Sequence, residues 1–172
     1  GFPVCTDLAV SGAAHFERKR KVNPFFQLTA AHHAKAVSDF AEAVGAAAYM
    51  IENPVSTLAT LWRKPDHYFH PWQFGGYLDY KSAKHPVWPE YIADWDIYNK
   101  KTCLWVGGIF TMPKICAMDT PEGYSTQHKK LGGKSMKTKN IRSATPRGFA
   151  AAVHYANRAS TDEIVRPLQL TI

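Results

Sequence analysis

The most constraining feature of this chain is an amphipathic segment that runs directly into a short apolar one. Residues 24–44 carry small and apolar side chains at helical spacing. Asn23 can cap the amino end, Pro24 suits the first helical position, and Gly45 is a natural stop. The spaced residues are Phe26, Ala30, Ala34, Val37, Ala41 and Val44. The pattern predicts one amphipathic helix.

Residues 46–51 form an apolar run that is followed by Glu52, Asn53 and Pro54. The run has the length of a buried parallel strand, and proline ends it. A helix that leads into such a strand over one residue is typical of α/β architecture. Open α/β sheets bind their ligands beyond the carboxyl ends of the strands, so the polar residues here are candidates for a site.

The rest of the chain has a less regular pattern. Residues 61–98 are rich in aromatic residues, Pro and Gly, which favours short strands and ordered loops. Residues 102–106 read as another strand, closed by Gly107-Gly108, and residues 114–142 as a long loop. Residues 149–159 are alanine-rich and helical, opened by Thr145-Pro146. We find no internal repeat or linker and predict one domain over 1–172.

Composition indicates a globular protein with an anionic partner. The 172 residues are 45% hydrophobic and contain no run of eighteen apolar residues, so a membrane span is not predicted. The formal charge of +7 favours a polyanion, nucleic acid first. Three widely spaced cysteines argue against a disulfide framework and favour a reducing cytoplasm.

Cys5 is a candidate nucleophile. It stands in the run Pro3-Val4-Cys5-Thr6, at the head of a loop that precedes the predicted helix. Positive charge or backbone N–H groups in such a loop can lower the pKa of a thiol and make it reactive. The alternative is a buried, unreactive cysteine.

Glu52 is a candidate acid. A carboxyl group sheltered at the end of a buried strand can hold a raised pKa and give a proton to a ring nitrogen. The alternative is a glutamate that caps a loop or pairs with a lysine. Cys5 and Glu52, separated by one helix, are more specific as a pair than either residue is alone.

Together these motifs resemble the small, phage-type cytosine-C5 DNA methyltransferases. In that family a Pro-Cys loop supplies the nucleophile that attacks cytosine C6, and a Glu-Asn dipeptide after the next strand contacts N3 and the exocyclic amine. The resemblance continues in order through Trp62-Arg63-Lys64-Pro65, His70-Pro71-Trp72, Trp72-Gln73-Phe74-Gly75, the run from Lys100 to Trp105, and Lys139 to Pro146. Val4, Thr6 and Pro54 depart from the residues that are usual in the family.

The resemblance implies a Rossmann-like methyltransferase sheet with helices on both faces, and C5-methylation of cytosine in double-stranded DNA. It implies Cys5 and Glu52 as catalytic residues and S-adenosylmethionine as the methyl donor. It also implies contacts to the extruded base from Pro3, Asn53, Pro54, Lys101 and Thr102. The Gly-rich segment that holds the donor precedes the Pro-Cys loop in the family. We therefore expect a catalytic fragment truncated before that loop, which does not bind the donor by itself.

Basic residues are the candidates for DNA contact. The resemblance also implies a location in the cytoplasm of a bacterium or a phage-infected cell. We expect residues 61–100 and 112–142 to form loops that face DNA, with phosphate contacts that weaken as salt rises. For each single lysine the alternative is a solvated surface position. The candidates are Arg18, Lys19, Arg63, Lys64, Lys129, Lys130, Lys134, Lys137, Lys139 and Arg142.

Other interpretations remain open. The fold could serve as a DNA-binding module without catalysis, and missing strands would leave an exposed sheet edge that favours self-association. His32-His33 and His67-x-x-His70 lack the Cys-x-x-Cys or His-Glu-x-x-His partners of zinc sites, so no metal site is predicted.

Overall fold

The computed structural model describes residues 1–132 and 135–164. These residues form two compact units. The first contains Gly1–Phe69 and Lys101–Phe110, and the second contains His70–Lys100 and the described chain from Thr111 onward. The chain therefore passes between the units three times. The single catalytic domain over 1–172 stays a prediction.

Three α-helices belong to the first unit. Helix α1 is Phe16–Val22, preceded by the 3-10 turn Val10–His15; helix α2 is Phe26–Ala43; helix α3 is the single turn Leu58–Leu61. The predicted helix over 24–44 is thus confirmed as α2, although its first residues lie outside it. The Asn23 side chain accepts a hydrogen bond from the Phe25 N–H at 3.0 Å, so it caps the turn before the helix.

A sheet of three strands packs against α2. Strand β1 is Ala48–Pro54, β2 is His67–Phe69 and β3 is Thr102–Gly108, in the order β1-β3-β2. The strand predicted over 46–51 therefore begins two residues later and continues to Pro54, so that Glu52 and Asn53 lie inside it. The strand predicted over 102–106 is confirmed and includes both glycines.

The expectation of a parallel strand is corrected for the pairing of β1 with β3. β3 is antiparallel to β1 and to β2, because the chain returns from residues 70–100 in the opposite direction. β1 and β2 therefore run the same way. On the other side of β1, the Gly1 nitrogen donates to the Met50 carbonyl, and the Glu52 N–H donates to the Gly1 carbonyl at 3.0 Å. These two bonds flank Ile51, which is the pattern of a parallel ladder.

The first unit has a continuous apolar core between α2 and the sheet. Ala34, Ile51 and Trp105 are fully buried there. The indole N–H of Trp105 donates to the Arg63 carbonyl at 2.7 Å, so the one polar group of this large buried side chain is hydrogen-bonded. The rest of the cluster is Leu8, Ala30, Ala31, Leu58 and Cys103. This core fixes the sheet whose end carries the candidate site.

The second unit contains more helix than the sequence predicts. Its helices are α4, Thr126–Lys130; α5, Met136–Ser143; and α6, Arg147–Ile164. The long loop predicted over 114–142 is therefore wrong for α4 and α5. Each of these helices is capped by a serine: Ser125 accepts from the His128 N–H, and Ser135 accepts from the Thr138 N–H. The helix predicted over 149–159 is confirmed as the middle of α6.

The start of α6 is held by a buried carboxylate. Asp96 accepts a hydrogen bond from the Gly148 N–H at 2.8 Å, and burial raises the pKa of Asp96, against the effect of that bond. Asp96 and Trp95 both have positive φ, 52° and 57°. Phe149 packs on Phe74 with ring centroids 5.2 Å apart. In this unit the aromatic segment forms the short 3-10 helices Pro71–Tyr77, Tyr80–Ser82 and Asp94–Asp96, where the sequence predicts short strands and ordered loops.

Candidate functional site at the end of strand β1

The loop that carries Cys5 is attached to β1 on its amino-terminal side. The Asn53 side-chain N–H donates to the Pro3 carbonyl at 3.3 Å. One residue earlier in β1, the Glu52 backbone N–H is bonded to the Gly1 carbonyl. Residues 1–3 therefore follow β1 to its carboxyl end and leave the sheet there.

On its carboxyl-terminal side the same loop is tied to the segment that follows β1. The Cys5 carbonyl accepts from the N–H groups of Leu8 and Ala9, at 2.9 and 2.8 Å, which forms a tight turn. The Leu8 carbonyl then accepts from the Thr57 N–H at 3.0 Å. The Val10 N–H donates to Val55 at 3.1 Å. The Cys5 loop, residues 3–9, is thus anchored on both sides around the end of β1.

Glu52 lies at this same end, inside the strand. Its neighbours Ile51 and Asn53 are buried, whereas Glu52 is half-buried, and strand alternation places its side chain on the opposite face of the sheet from theirs. Its carboxylate contributes to raising the pKa of the Cys103 thiol. The structure therefore brings the two predicted catalytic residues to the same end of β1, and their catalytic roles stay predictions.

Cys103 is the second thiol in this unit, and it is protonated at neutral pH. Its side chain is 3% exposed. Burial raises the pKa of Cys103 to about 11, Lys101 acts in the opposite direction, and Glu52 adds to the rise. A thiol must ionise to act as a nucleophile, so Cys103 is a core residue. Cys5 is half-buried and lies on the loop.

Lys101 and Thr102 border the site from the start of β3. Thr102 is 1% exposed and is the register partner of both Pro54 and Phe69. Lys101 is exposed, and its ammonium lies 4.7 Å from the ring centroid of Tyr68. Tyr68 is 53% exposed, and sequence reasoning did not select it. An exposed aromatic ring next to a cation is a surface suited to stacking with a nucleobase.

Two of the basic residues predicted to contact DNA are engaged inside the first unit. Lys19 forms an ion pair with Asp7. Arg63 donates to both carboxylate oxygens of Asp66 at 2.8 Å and to the Val106 carbonyl at 3.2 Å, which holds the approach to β2 against β3. Arg18 and Lys64 are exposed, so they are better placed to reach phosphate.

The basic residues of the second unit divide in the same way. Lys130 donates to the Glu90 carbonyl at 3.2 Å and Arg142 to the Leu131 carbonyl at 2.8 Å. The Lys137 ammonium lies 5.1 Å from the ring centroid of Tyr91. Those that are exposed without such a contact are Lys129 and Lys139, and Lys134 lies outside the described residues. DNA contact stays a prediction for the whole set.

A metal site needs several ligating side chains close together, and the methyl donor needs a Gly-rich turn between a strand and a helix. Among the described side chains of residues 1–132 and 135–158, no three of His, Cys, Asp or Glu lie close enough together to hold a metal ion. Over the same residues, none of the three strands leads through a Gly-rich turn into a helix, the arrangement that holds such a donor. The described residues therefore do not fit S-adenosylmethionine, and we assign none of them to it.

One polar atom of the site has no partner. Asn53 is fully buried, its N–H group is bonded to Pro3, and its side-chain oxygen accepts no hydrogen bond from any described residue. A buried acceptor without a donor is unfavourable by about 1–3 kcal/mol, and such atoms are uncommon in native structures. We regard this oxygen as part of the candidate site.

Comparison with known proteins identifies no relative of this chain. No protein-family model matches this chain, and no curated protein and no solved structure gives a significant match. No helix among the described residues is long and apolar enough to cross a membrane. The chain is a mixed α/β protein with a three-stranded antiparallel sheet, and its membership of the cytosine-C5 methyltransferases stays a prediction.

Proposed function

We propose that this chain carries the nucleophile and the acid of a cytosine-C5 DNA methyltransferase. The observation that supports this most strongly is the anchoring of the Cys5 loop, by Pro3 on one side and Leu8 on the other, around the end of the strand that contains Glu52. A loop fixed in this way holds the Cys5 thiol in one place at the end of the strand that carries the Glu52 carboxyl group. Covalent catalysis on a pyrimidine ring needs that arrangement.

In the proposed reaction the Cys5 thiolate adds to C6 of cytosine. Glu52 gives a proton to N3 as the electrons of the C5–C6 double bond move into the ring, so the adduct is a neutral enamine in which C5 is nucleophilic. In the family that the sequence resembles, S-adenosylmethionine would supply the methyl group to C5, and none of the described residues is assigned to holding it. Once C5 carries a methyl group, a solvent water molecule takes the proton from C5, and the thiolate leaves C6 as the C5–C6 double bond re-forms. N3 then returns its proton to Glu52.

Cytosine inside a duplex is inaccessible to this thiol, so the base must leave the stack, at a cost of a few kcal/mol. Tyr68 and Lys101, at the same end of the sheet, are suited to receive an extruded nucleotide by stacking and by charge. Arg18 and Lys64 in the first unit, and Lys129 and Lys139 in the second, are the exposed cations proposed for phosphate contact.

Covalent trapping tests the proposal. A library of duplexes of mixed sequence would carry 2-pyrimidinone in place of cytosine, because this base lacks the exocyclic amine and forms a lasting C6 adduct with a thiolate without methyl transfer. We expect a protein–DNA complex that survives denaturing electrophoresis. The adduct should map to Cys5 by mass spectrometry, persist in Cys103→Ala and disappear in Cys5→Ala.

A second arm uses 5-fluorocytosine duplexes with S-adenosylmethionine, where trapping also requires methyl transfer. Trapping on 2-pyrimidinone without trapping here would mean that the thiol is active and the donor is not bound by this chain. Duplex binding that is sensitive to salt, with no adduct in either arm and no effect of Cys5→Ala, would contradict catalysis and favour the non-catalytic DNA-binding module.

A further inference from the structure

Lys19 makes three contacts that are unusual for a surface lysine. Its ammonium is ion-paired with Asp7, donates to the Thr6 carbonyl at 3.3 Å and lies 5.9 Å from the centroid of the Phe26 ring. The side chains of Lys19 and Asp7 are only 30% and 38% exposed. Thr6 and Asp7 directly follow Cys5. Lys19 is therefore attached to the loop that presents the candidate nucleophile.

The helix that carries Lys19 is itself fixed to the core. Phe16, at the start of α1, packs edge-to-face on Phe26 of α2 with ring centroids 5.7 Å apart. Lys21 on the same helix behaves differently, because it faces Glu17 at 3.4 Å with both side chains about four-fifths exposed, 77% and 82%. Lys21 is thus a matched control, with the same charge on the same helix but no contact with the loop.

We propose that the Lys19–Asp7 ion pair closes the Cys5 loop and sets the charge around the Cys5 thiol. This inference rests on the proposed role of Cys5 as the nucleophile. Asp7 lies two residues from Cys5, and an isolated carboxylate there disfavours the thiolate. The Lys19 ammonium neutralises that carboxylate and holds the Thr6 carbonyl. Lys19 is in this sense a positioning residue, and not a phosphate contact.

A second observation indicates that the loop serves a ligand. Asn53 holds the other end of the loop through Pro3, and its buried oxygen accepts no hydrogen bond from the described residues. A ligand that carries an N–H or O–H donor would satisfy this oxygen. The loop is thus held by Lys19 at Thr6 and Asp7 and by Asn53 at Pro3, next to an unused acceptor.

The test is the pH dependence of Cys5 alkylation by iodoacetamide, followed by mass spectrometry without DNA. We expect Lys19→Met to raise the apparent pKa of Cys5 by about half a unit to one unit, which slows alkylation near neutral pH roughly 3–10-fold. Asp7→Asn should shift that pKa the opposite way. The Lys19→Met/Asp7→Asn double variant should return it close to the wild-type value. Lys19→Arg should retain the wild-type profile, and Lys21→Met should not change it.

The outcomes separate this inference from the proposed function. Equal profiles for Lys19→Met and Lys21→Met, or shifts in the same direction for Lys19→Met and Asp7→Asn, would overturn the role of the ion pair, even if the wild-type protein is trapped on 2-pyrimidinone DNA. Opposite shifts together with a failure of trapping would support the ion pair and remove the proposed function. Far-ultraviolet circular dichroism checks that each variant is folded.

Discussion

The buried thiol of Cys103 makes a quantitative prediction about stability at alkaline pH. Its pKa is about 11 in the folded protein, against 9.0 for the free group. Since the pKa is higher in the folded protein, the contribution of the protonated Cys103 thiol to the free energy of unfolding is fully present below pH 9. It is lost as pH rises toward 11. At pH 10 the ionisation of Cys103 shifts the unfolding equilibrium roughly tenfold, which lowers the free energy of unfolding by about 1.4 kcal/mol. Above pH 11 the reduction reaches about 2.7 kcal/mol.

Urea denaturation of the wild type and of Cys103→Ala at pH 8 and pH 10 measures this effect. All other ionisable groups are common to the two proteins, so their effect on the free energy of unfolding cancels in the comparison. We expect the wild type to lose about 1.4 kcal/mol more than the variant. Equal losses, with unchanged dependence on urea, would refute the reasoning and mean that Cys103 is accessible to solvent in the folded state.

Two further predictions concern stability. A Gly→Ala substitution usually stabilises a helix, but in Gly148→Ala the new Cβ would lie 2.4 Å from the Phe74 carbonyl oxygen. We therefore expect a loss of stability of about 1–3 kcal/mol, seen as a lower melting temperature. An unchanged or higher melting temperature would contradict the close approach. Arg63→Met should destabilise the protein by about 1–2 kcal/mol, because it removes the hydrogen bonds to Asp66. Lys64→Met, the control, should change the stability by no more than about 0.5 kcal/mol. Equal effects of the two substitutions would mean that Arg63 has no structural role.

The elements with a regular apolar pattern were predictable. The stripe that includes Ala30, Ala34 and Ala41 faces the core, as its spacing predicts. The strand after it was found because a compact apolar run precedes Pro54. Its pairing was not predictable, because a buried strand has the same pattern in parallel and antiparallel ladders.

The missed helices lack that pattern. Helix α5 has eight residues, of which Thr138 and Ile141 are buried, so no apolar stripe distinguishes it from a loop. Its signal was the cap at Ser135, which stands before a polar run. Helix α1 has no buried residue, and Lys19 on it reads in the sequence as one more member of a basic run.

The placement of the candidate site was predictable in part. Cys5 and Glu52 were selected from their motifs, and both lie at the end of β1. The attachment of Lys19 to Asp7 was not predictable, because these residues lie twelve positions apart and meet only through the fold. Tyr68 was missed since an aromatic residue in an aromatic-rich segment carries no signal of exposure.

The register of β2 with β3 has a consequence for the modular construction of this chain. Phe69 and Thr102 are directly opposed, so residues 70–101 occupy the position of the loop in a β-hairpin. A two-residue Asn-Gly connection in their place would join the strands with a favourable twist, and a chain that also ended after Phe110 would be a miniature of the first unit, of about half the length. Conversely, synthesis on the ribosome must pass through the whole insertion before the middle strand of the sheet exists.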